Sequence, residues 1–127
     1  MKRLLWSILL LSCLVIVAAA CSSGSQGQDP AIVKVELSTE PTAAVAAKPV
    51  TLTAHITGLV KENDANVQFD IRSENKNELP DLVTASSTGS GSYAAAKTFD
   101  KPGTYTIYIH LYQGDLHVTK KKQLVVS

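Results

Sequence analysis

Apolar and polar residues alternate with a period of two through most of the chain after residue 31. Such alternation is typical of β-strands that bury one face and expose the other. Four segments show it most clearly, and their apolar positions are Val33, Val35 and Leu37; Val50, Leu52, Ala54 and Ile56; Val67, Phe69 and Ile71; and Tyr105, Ile107, Ile109 and Leu111. We therefore predict four strands, each of which directs an apolar set of side chains into a core.

The remaining segments add shorter strands that are separated by turn residues. The polar segment 73–90 contains a proline and a glycine, which predicts a long connection with a short edge strand near residues 82–85. Two further strands are predicted at residues 93–99 and 116–126.

The number and spacing of these strands predict the fold class. About seven short strands after residue 31, with no convincing amphipathic helix, indicate an all-β protein. Short strands at this spacing are typical of an immunoglobulin-like antiparallel β-sandwich. We expect residues 31–127 to form one such domain, since no internal repeat is visible.

The first 20 residues differ from this pattern and resemble a bacterial lipoprotein signal peptide. Lys2 and Arg3 are followed by 17 uncharged residues that end in three alanines directly before Cys21. Lipoprotein processing requires small side chains before the cleaved bond and a thiol after it, so Cys21 is predicted to carry acyl chains such as palmitate. Residues 21–30 would then be the lipidated cysteine and a flexible tether rich in Ser, Gly and Gln.

Two alternatives stay open for this segment. Cys13 is a second cysteine, although cleavage there would leave apolar residues 14–17 beside the anchor. An uncleaved membrane helix is the other alternative, because 17 residues lie at the lower limit of about 17–25 for a spanning helix. Each interpretation attaches the domain to the cell membrane on its extracytoplasmic face, and acylated Cys21 would do so through the lipid bilayer.

Charge and cysteine content exclude several function classes. Loss of Lys2 and Arg3 leaves 10 basic residues of the original 12 against 11 acidic ones, a net charge of −1. Nucleic-acid binding fits neither this charge nor the compartment. The domain contains no cysteine, so its stability must come from a packed core. No nucleophile elbow, phosphate loop or paired-cysteine motif is found, and we expect a protein that is not an enzyme.

The last two predicted strands bring two histidines together. A two-residue turn at Gln113 and Gly114 would place both apolar sets on one face of the hairpin. That register sets His110 directly opposite His117 on the outer face, within reach of one shared metal ion. A solvated sheet face without a ligand is the alternative.

Further residues bear on this candidate metal site. Asp70, predicted to point outward on the strand beside the hairpin, is a candidate third ligand. His55 is a weaker candidate, because its strand is predicted to belong to the other sheet and to point away.

Three consecutive lysines, Lys120, Lys121 and Lys122, interrupt the apolar pattern of the last strand. A bulge or an exposed edge would explain them, since lysines on an edge strand discourage pairing between molecules. An interaction patch for an anionic membrane or an acidic partner is the functional alternative.

The mature domain resembles the YtkA-like domain family, which comprises small immunoglobulin-like domains often found in bacterial lipoproteins. The resemblance covers most of residues 32–126 and includes the segments 33–37, 49–54, 65–71, 91–93, 97–99 and 102–105, together with Pro41, His110, residues 116–118 and residues 120–122. The ending from His110 to the lysines is its most specific part.

The resemblance implies an extracytoplasmic β-sandwich without an established catalytic activity, of a family frequently encoded in settings that suggest metal or redox handling. Relatives of this type tend to have methionine around the second histidine, which suits copper(I). Here Leu116 and Thr119 occupy that neighbourhood, and the mature chain contains no methionine. The expected site is therefore based on imidazole and would hold a copper or zinc ion.

Two functions follow from these observations. The first is a lipid-anchored binding domain that holds copper or zinc at His110 and His117. The second is a metal-free immunoglobulin-like module that docks another envelope protein.

Overall fold

The structure is a computed structural model, and it describes residues 29–127. The predicted signal peptide at residues 1–20, the lipidation site Cys21 and the tether up to residue 28 lie outside the described residues. Within residues 29–127, no helix is long and apolar enough to cross a membrane.

Seven strands and one short 3₁₀ helix make up the described part of the chain. The 3₁₀ helix spans Pro30–Ile32, and the side chain of Asp29 caps it by accepting a 2.9 Å hydrogen bond from the backbone N–H of Ala31. The strands are β1 (Lys34–Glu40), β2 (Pro49–Thr57), β3 (Asn66–Ser73), β4 (Asp81–Gly89), β5 (Ser92–Thr98), β6 (Gly103–Gln113) and β7 (Leu116–Val126).

The strands form one sheet in the order β1-β2-β5-β4-β3-β6-β7, and all neighbours are antiparallel. β4 joins the two halves, because residues 81–85 pair with β3 and residues 86–89 pair with β5. At the far ends, Ala44 forms a parallel bridge with Val126, and the N–H of Ala46 donates to the carbonyl of Ser127 at 2.8 Å. The sheet is therefore nearly closed, in a barrel-like arrangement.

The all-β class and the seven antiparallel strands are confirmed. A division into two separate sheets is not clearly present, because β4 continues from one half to the other. The strand predicted near residues 82–85 is present, but it is longer than predicted, because β4 spans Asp81–Gly89. Residues 81–85 pair with β3 alone and form an edge of the β3-β6-β7 half, whereas residues 86–89 pair with β5 and so place β4 inside the strand order. Only Ala85 of β4 is buried, so its sequence lacks the apolar alternation that would have revealed a central strand.

The core lies inside the curved sheet and is built from the predicted apolar positions. Leu52, Phe69, Ile109 and Leu111 are fully buried there. Because side chains alternate along a strand, the even-numbered residues of β3 and β6 lie on the outer face. This outer face of β3, β6 and β7 carries His110 and His117.

Candidate metal site

The hairpin between β6 and β7 turns one residue later than predicted. Gly114 and Asp115 form the two-residue turn, and Gln113 pairs with Leu116. Gly114 has a φ of +55°, a conformation that glycine adopts without steric cost. The side-chain amide of Gln113 donates 2.8 Å hydrogen bonds to two backbone carbonyls in the loop before β3. These bonds hold Gln113 at the end of β6 and so set the position of the turn.

This register corrects the predicted pairing of the histidines. His110 lies opposite Thr119 and His117 lies opposite Tyr112, so the prediction that the two histidines face each other directly is wrong. All four residues still share the outer face, because the register differs by an even number of residues. The histidines are diagonal neighbours, and their ring centroids are 6.1 Å apart.

The imidazoles of both histidines face one oxygen atom. Nδ1 of His110 and Oγ1 of Thr119 share a hydrogen bond of 3.0 Å. Nε2 of His117 lies 3.4 Å from the same hydroxyl oxygen. The side chain of His110 is 23% exposed, while His117 and Thr119 are exposed. Two nitrogen donors thus converge on a point that solvent can reach.

Aromatic stacking supports the second histidine. The rings of Tyr112 and His117 have centroids 4.4 Å apart and an angle of 20° between their planes. The ring of His110 lies 6.4 Å from that of Tyr112 at 19°. Tyr112 therefore covers one face of His117, and the edge of the imidazole that carries Nε2 stays directed at Thr119.

Asp70 lies beside His110 on the outer face, as predicted, but it is buried, with only 5% of its surface exposed. Both of its carboxylate oxygens are bound by Arg72, with Nε to Oδ1 at 3.0 Å and Nη2 to Oδ2 at 2.8 Å. Arg72 in turn lies over the ring of Tyr108, 5.1 Å from its centroid. Nε2 of His110 lies 3.6 Å from Oδ2 of Asp70.

The hydrogen bonds from Arg72 lower the pKa of Asp70 below its ordinary value. They outweigh the desolvation of the buried carboxylate, which acts in the opposite direction. Asp70 also raises the pKa of Arg72. The pair is therefore ionised at neutral pH, and the carboxylate presents a negative charge to His110.

The role of Asp70 as a third metal ligand stays a prediction, and the arrangement of its carboxylate does not favour it. Its oxygens are engaged by Arg72, and Oδ2 faces Nε2 of His110, the nitrogen that points away from Thr119. Among residues 29–127, no group of three or more His, Cys, Asp or Glu side chains is placed to hold a metal ion. A metal at this face would have two protein nitrogens, and its other positions would be filled from solvent.

His55 is remote from this site. It lies on β2, where its ring nitrogens share hydrogen bonds of 2.9 Å with the hydroxyls of Ser38 and Ser92. β2 is separated from β6 by three strands in the sheet. His55 therefore serves as a matched reference histidine outside the site.

The three lysines do not form a single patch. β7 pairs with β6 without interruption, so no bulge is present at this point, and β7 lies at one edge of the sheet. Lys121 is exposed on the outer face, opposite Tyr108. Lys120 and Lys122 have the opposite orientation and are half-buried. Of the alternatives drawn from the sequence, an exposed edge fits this arrangement.

Sequence reasoning missed two residues of this site, Thr119 and Arg72. Thr119 belongs to it only because of the observed register, which depends on the turn at Gly114. Arg72 has a signal in the sequence, since residues two apart on a strand lie on the same face and Arg72 follows Asp70 by two.

The comparisons with known proteins bear on the fold alone. No family model matches the chain, and no curated protein matches it. Among solved structures, the chain is similar to the crystal structure of an engineered protein from the Northeast Structural Genomics Consortium, with a TM-score of 0.58 and 16% identity. The match covers 78% of this chain and 21% of that chain, so this protein spans about a fifth of that protein's length.

Proposed function

We propose that this protein is a lipid-anchored, non-catalytic domain on the extracytoplasmic face of the cell membrane that binds one copper or zinc ion at His110 and His117. The observation that carries the proposal is the convergence of Nδ1 of His110 and Nε2 of His117 on the hydroxyl of Thr119. Neutral imidazole is a good ligand for both metals.

The proposed site suits a metal that keeps solvent ligands. Metal–nitrogen bonds are about 2.0–2.1 Å long, so the ring of His117 would move towards that of His110 and displace the Thr119 hydroxyl from between them. His117 and Thr119 are exposed, and this movement meets no buried packing.

A titration of the purified protein with Cu(II) and with Zn(II) tests this proposal. We expect one bound ion per chain in the wild-type protein and loss of that binding in the His110→Ala/His117→Ala double variant. His55→Ala is the matched control and is expected to bind the metal as the wild type does. Equal affinity in the double variant and the wild type would contradict the proposal.

Membrane attachment through Cys21 is supported by the basic start, the 17 uncharged residues and the small residues before the cysteine. Mass spectrometry of protein extracted from membranes is expected to show a chain that begins at an acylated Cys21. The Cys21→Ser variant should lose the acyl mass and the membrane association. A wild-type chain that keeps residues 1–20 would contradict this part of the proposal.

We also propose that the domain is immunoglobulin-like and belongs with the YtkA-like domains. The strand order supports this, because β1-β2-β5-β4 and β3-β6-β7 follow the order of the two sheets of an immunoglobulin constant-type domain. In this interpretation β4 bridges the sheets through its pairing with β3. An experimental structure in which β4 paired with neither β3 nor β5 would contradict it.

Docking of another envelope protein is the second candidate function. The observation that favours it is a groove of about 430 Å³ between β1 and β7, lined by Glu36, Leu37, Lys122 and Leu124 among others. Within the described residues, the edge strands β1 and β7 do not pair with each other, and the bridge to Val126 comes from Ala44 in the segment that follows β1. An extended segment of a partner would fit between two such edges. Capture of a membrane protein that persists in the presence of a chelator would favour this function over metal binding.

A further inference from the structure

Asp70 and Arg72 form a hydrogen-bonded ion pair on the side of His110 that faces away from Thr119. The side chain of Asp70 is 7% exposed, and both of its oxygens accept hydrogen bonds from Arg72. Tyr108 lies under the guanidinium of Arg72. Since a forked pair of bonds restrains both the position and the plane of a carboxylate, Asp70 presents Oδ2 to His110 in one orientation.

The two nitrogens of His110 face chemically different neighbours. Nε2 lies 3.6 Å from the negatively charged Oδ2 of Asp70, and Nδ1 shares a 3.0 Å hydrogen bond with the hydroxyl of Thr119. A carboxylate attracts an N–H and repels a nitrogen lone pair, whereas a hydroxyl can donate to the lone pair or accept from an N–H. The carboxylate therefore decides which nitrogen carries the proton.

We infer that Asp70, held by Arg72, is a positioning residue that keeps the proton of neutral His110 on Nε2 and so presents the lone pair of Nδ1 to the metal. The inference rests on the proposed function for the identity of the ligand. Histidines that bind metals usually donate their other N–H to a carboxylate or a carbonyl, which fixes the tautomer and makes the ligand more basic.

His117 is supported differently. It contacts the hydroxyl of Thr119 and stacks on Tyr112, and neither neighbour imposes a tautomer as a carboxylate does. His110 is thus the pre-organised ligand, and His117 adapts to the ion. We expect His110→Ala to reduce metal affinity more than His117→Ala does.

Nitrogen NMR of the metal-free protein tests the tautomer without any ligand. We expect the neutral imidazole of His110 in the wild type to carry its proton on Nε2 and to leave Nδ1 unprotonated. Asp70→Val removes the acceptor and should give a mixture of the two tautomers. Asp70→Asn, which keeps the size of the side chain, serves as the second variant if Asp70→Val does not fold. Asp81→Asn is the matched control, since Asp81 pairs with Lys97 away from the histidines and its loss should leave His110 unchanged.

Titration with Zn(II) then connects the tautomer to binding. Loss of a carboxylate that orients a metal-binding histidine typically lowers metal affinity about 10–100-fold. We expect a decrease of that size in the Asp70 variants and none in Asp81→Asn. A His110 tautomer and a Zn(II) affinity that are both unchanged in the Asp70 variants would overturn the inference. A wild type with the expected tautomer but without metal binding would contradict the proposed function and leave the positioning role supported.

Discussion

Tyr112 and His117 are paired directly across β6 and β7, and their rings stack with centroids 4.4 Å apart. The stack restrains the imidazole on the exposed side of the sheet, where it would otherwise sample several rotamers. His117 therefore depends on an aromatic neighbour for its orientation, whereas the orientation of His110 depends on the ion pair of Asp70 and Arg72.

Replacement of Tyr112 tests the role of this stack. An aromatic pair contributes about 0.5–1.5 kcal/mol beyond its burial, so Tyr112→Ala is expected to weaken metal binding about two- to tenfold. Tyr112→Phe keeps the ring and should bind the metal as the wild type does. The measurement is a calorimetric titration with Zn(II). Equal affinities for the Ala and Phe variants would contradict the role given to the stack.

Asp70 should make the free energy of unfolding vary with pH in the acid range. Its pKa is lowered by Arg72 from the ordinary value of 3.8, so the ionised carboxylate stabilises the folded state. This contribution is fully present above about pH 3.8 and is lost as the pH falls through the lower pKa of the folded state. We expect Asp70→Asn to lower the free energy of unfolding by about 1–2 kcal/mol at pH 7, since Arg72 is half exposed and water screens the pair.

Urea unfolding of the wild type and of Asp70→Asn at several pH values measures this effect. The difference in the free energy of unfolding between the two proteins should become smaller below pH 3.8. Asp81→Asn removes an exposed ion pair and should cost less than about 1 kcal/mol at pH 7. A difference in the free energy of unfolding that grew as the pH fell would contradict stabilisation of the ionised carboxylate by Arg72.

Tyr93 holds the loop between β2 and β3 against the core. It is 1% exposed, and its hydroxyl donates to the carbonyl of Glu62 at 2.7 Å and accepts from the N–H of Ala65 at 3.1 Å. Tyr93→Phe leaves these two backbone groups without that partner, and we expect a loss of about 1–3 kcal/mol in the free energy of unfolding. Tyr112→Phe, at a position on the outer face, should change it by less than about 0.5 kcal/mol. Similar thermal unfolding midpoints for the two variants would contradict this assignment.

The turn between β4 and β5 requires glycine at residue 91 for two reasons. Gly91 has a φ of +76°, and a Cβ atom there would lie 2.4 Å from the carbonyl oxygen of Ile56. Gly89 also has a positive φ, of +101°, but a Cβ atom there would meet nothing within 4 Å. Both alanine variants carry the backbone strain, about 1–3 kcal/mol, and only Gly91→Ala adds the clash. Chemical denaturation should therefore show Gly91→Ala to be the less stable, and the reverse order would contradict the close approach of Gly91 to Ile56.

The strand positions could be predicted because alternation is a local property of the sequence. Val50 to Ile56 on β2 and Ile107 to Leu111 on β6 show it directly, and the structure buries the predicted side chains. The full length of β4 and its link between the two halves of the sheet could not be predicted, because its side chains are mostly exposed while residues 81–85 pair with β3 and residues 86–89 pair with β5.

The site could be predicted only as a region. The alternation of side chains along each strand predicts which residues, including the two histidines, lie on the outer face. The register between β6 and β7, however, depends on Gly114 in the turn and on the hydrogen bonds that Gln113 makes with a distant loop. The burial of Asp70 likewise depends on Arg72 and on the strands at either side of β3. Such tertiary contacts do not appear in the alternation of a single strand.

We propose that His110 and His117 together bind one metal ion. Pulsed electron paramagnetic resonance of the Cu(II)-loaded protein counts the coordinated imidazoles most directly. We predict two imidazoles in the wild type and in His55→Ala, and one in each of His110→Ala and His117→Ala. A wild-type spectrum with fewer than two imidazoles, or one unchanged by the loss of either histidine, would contradict the claim.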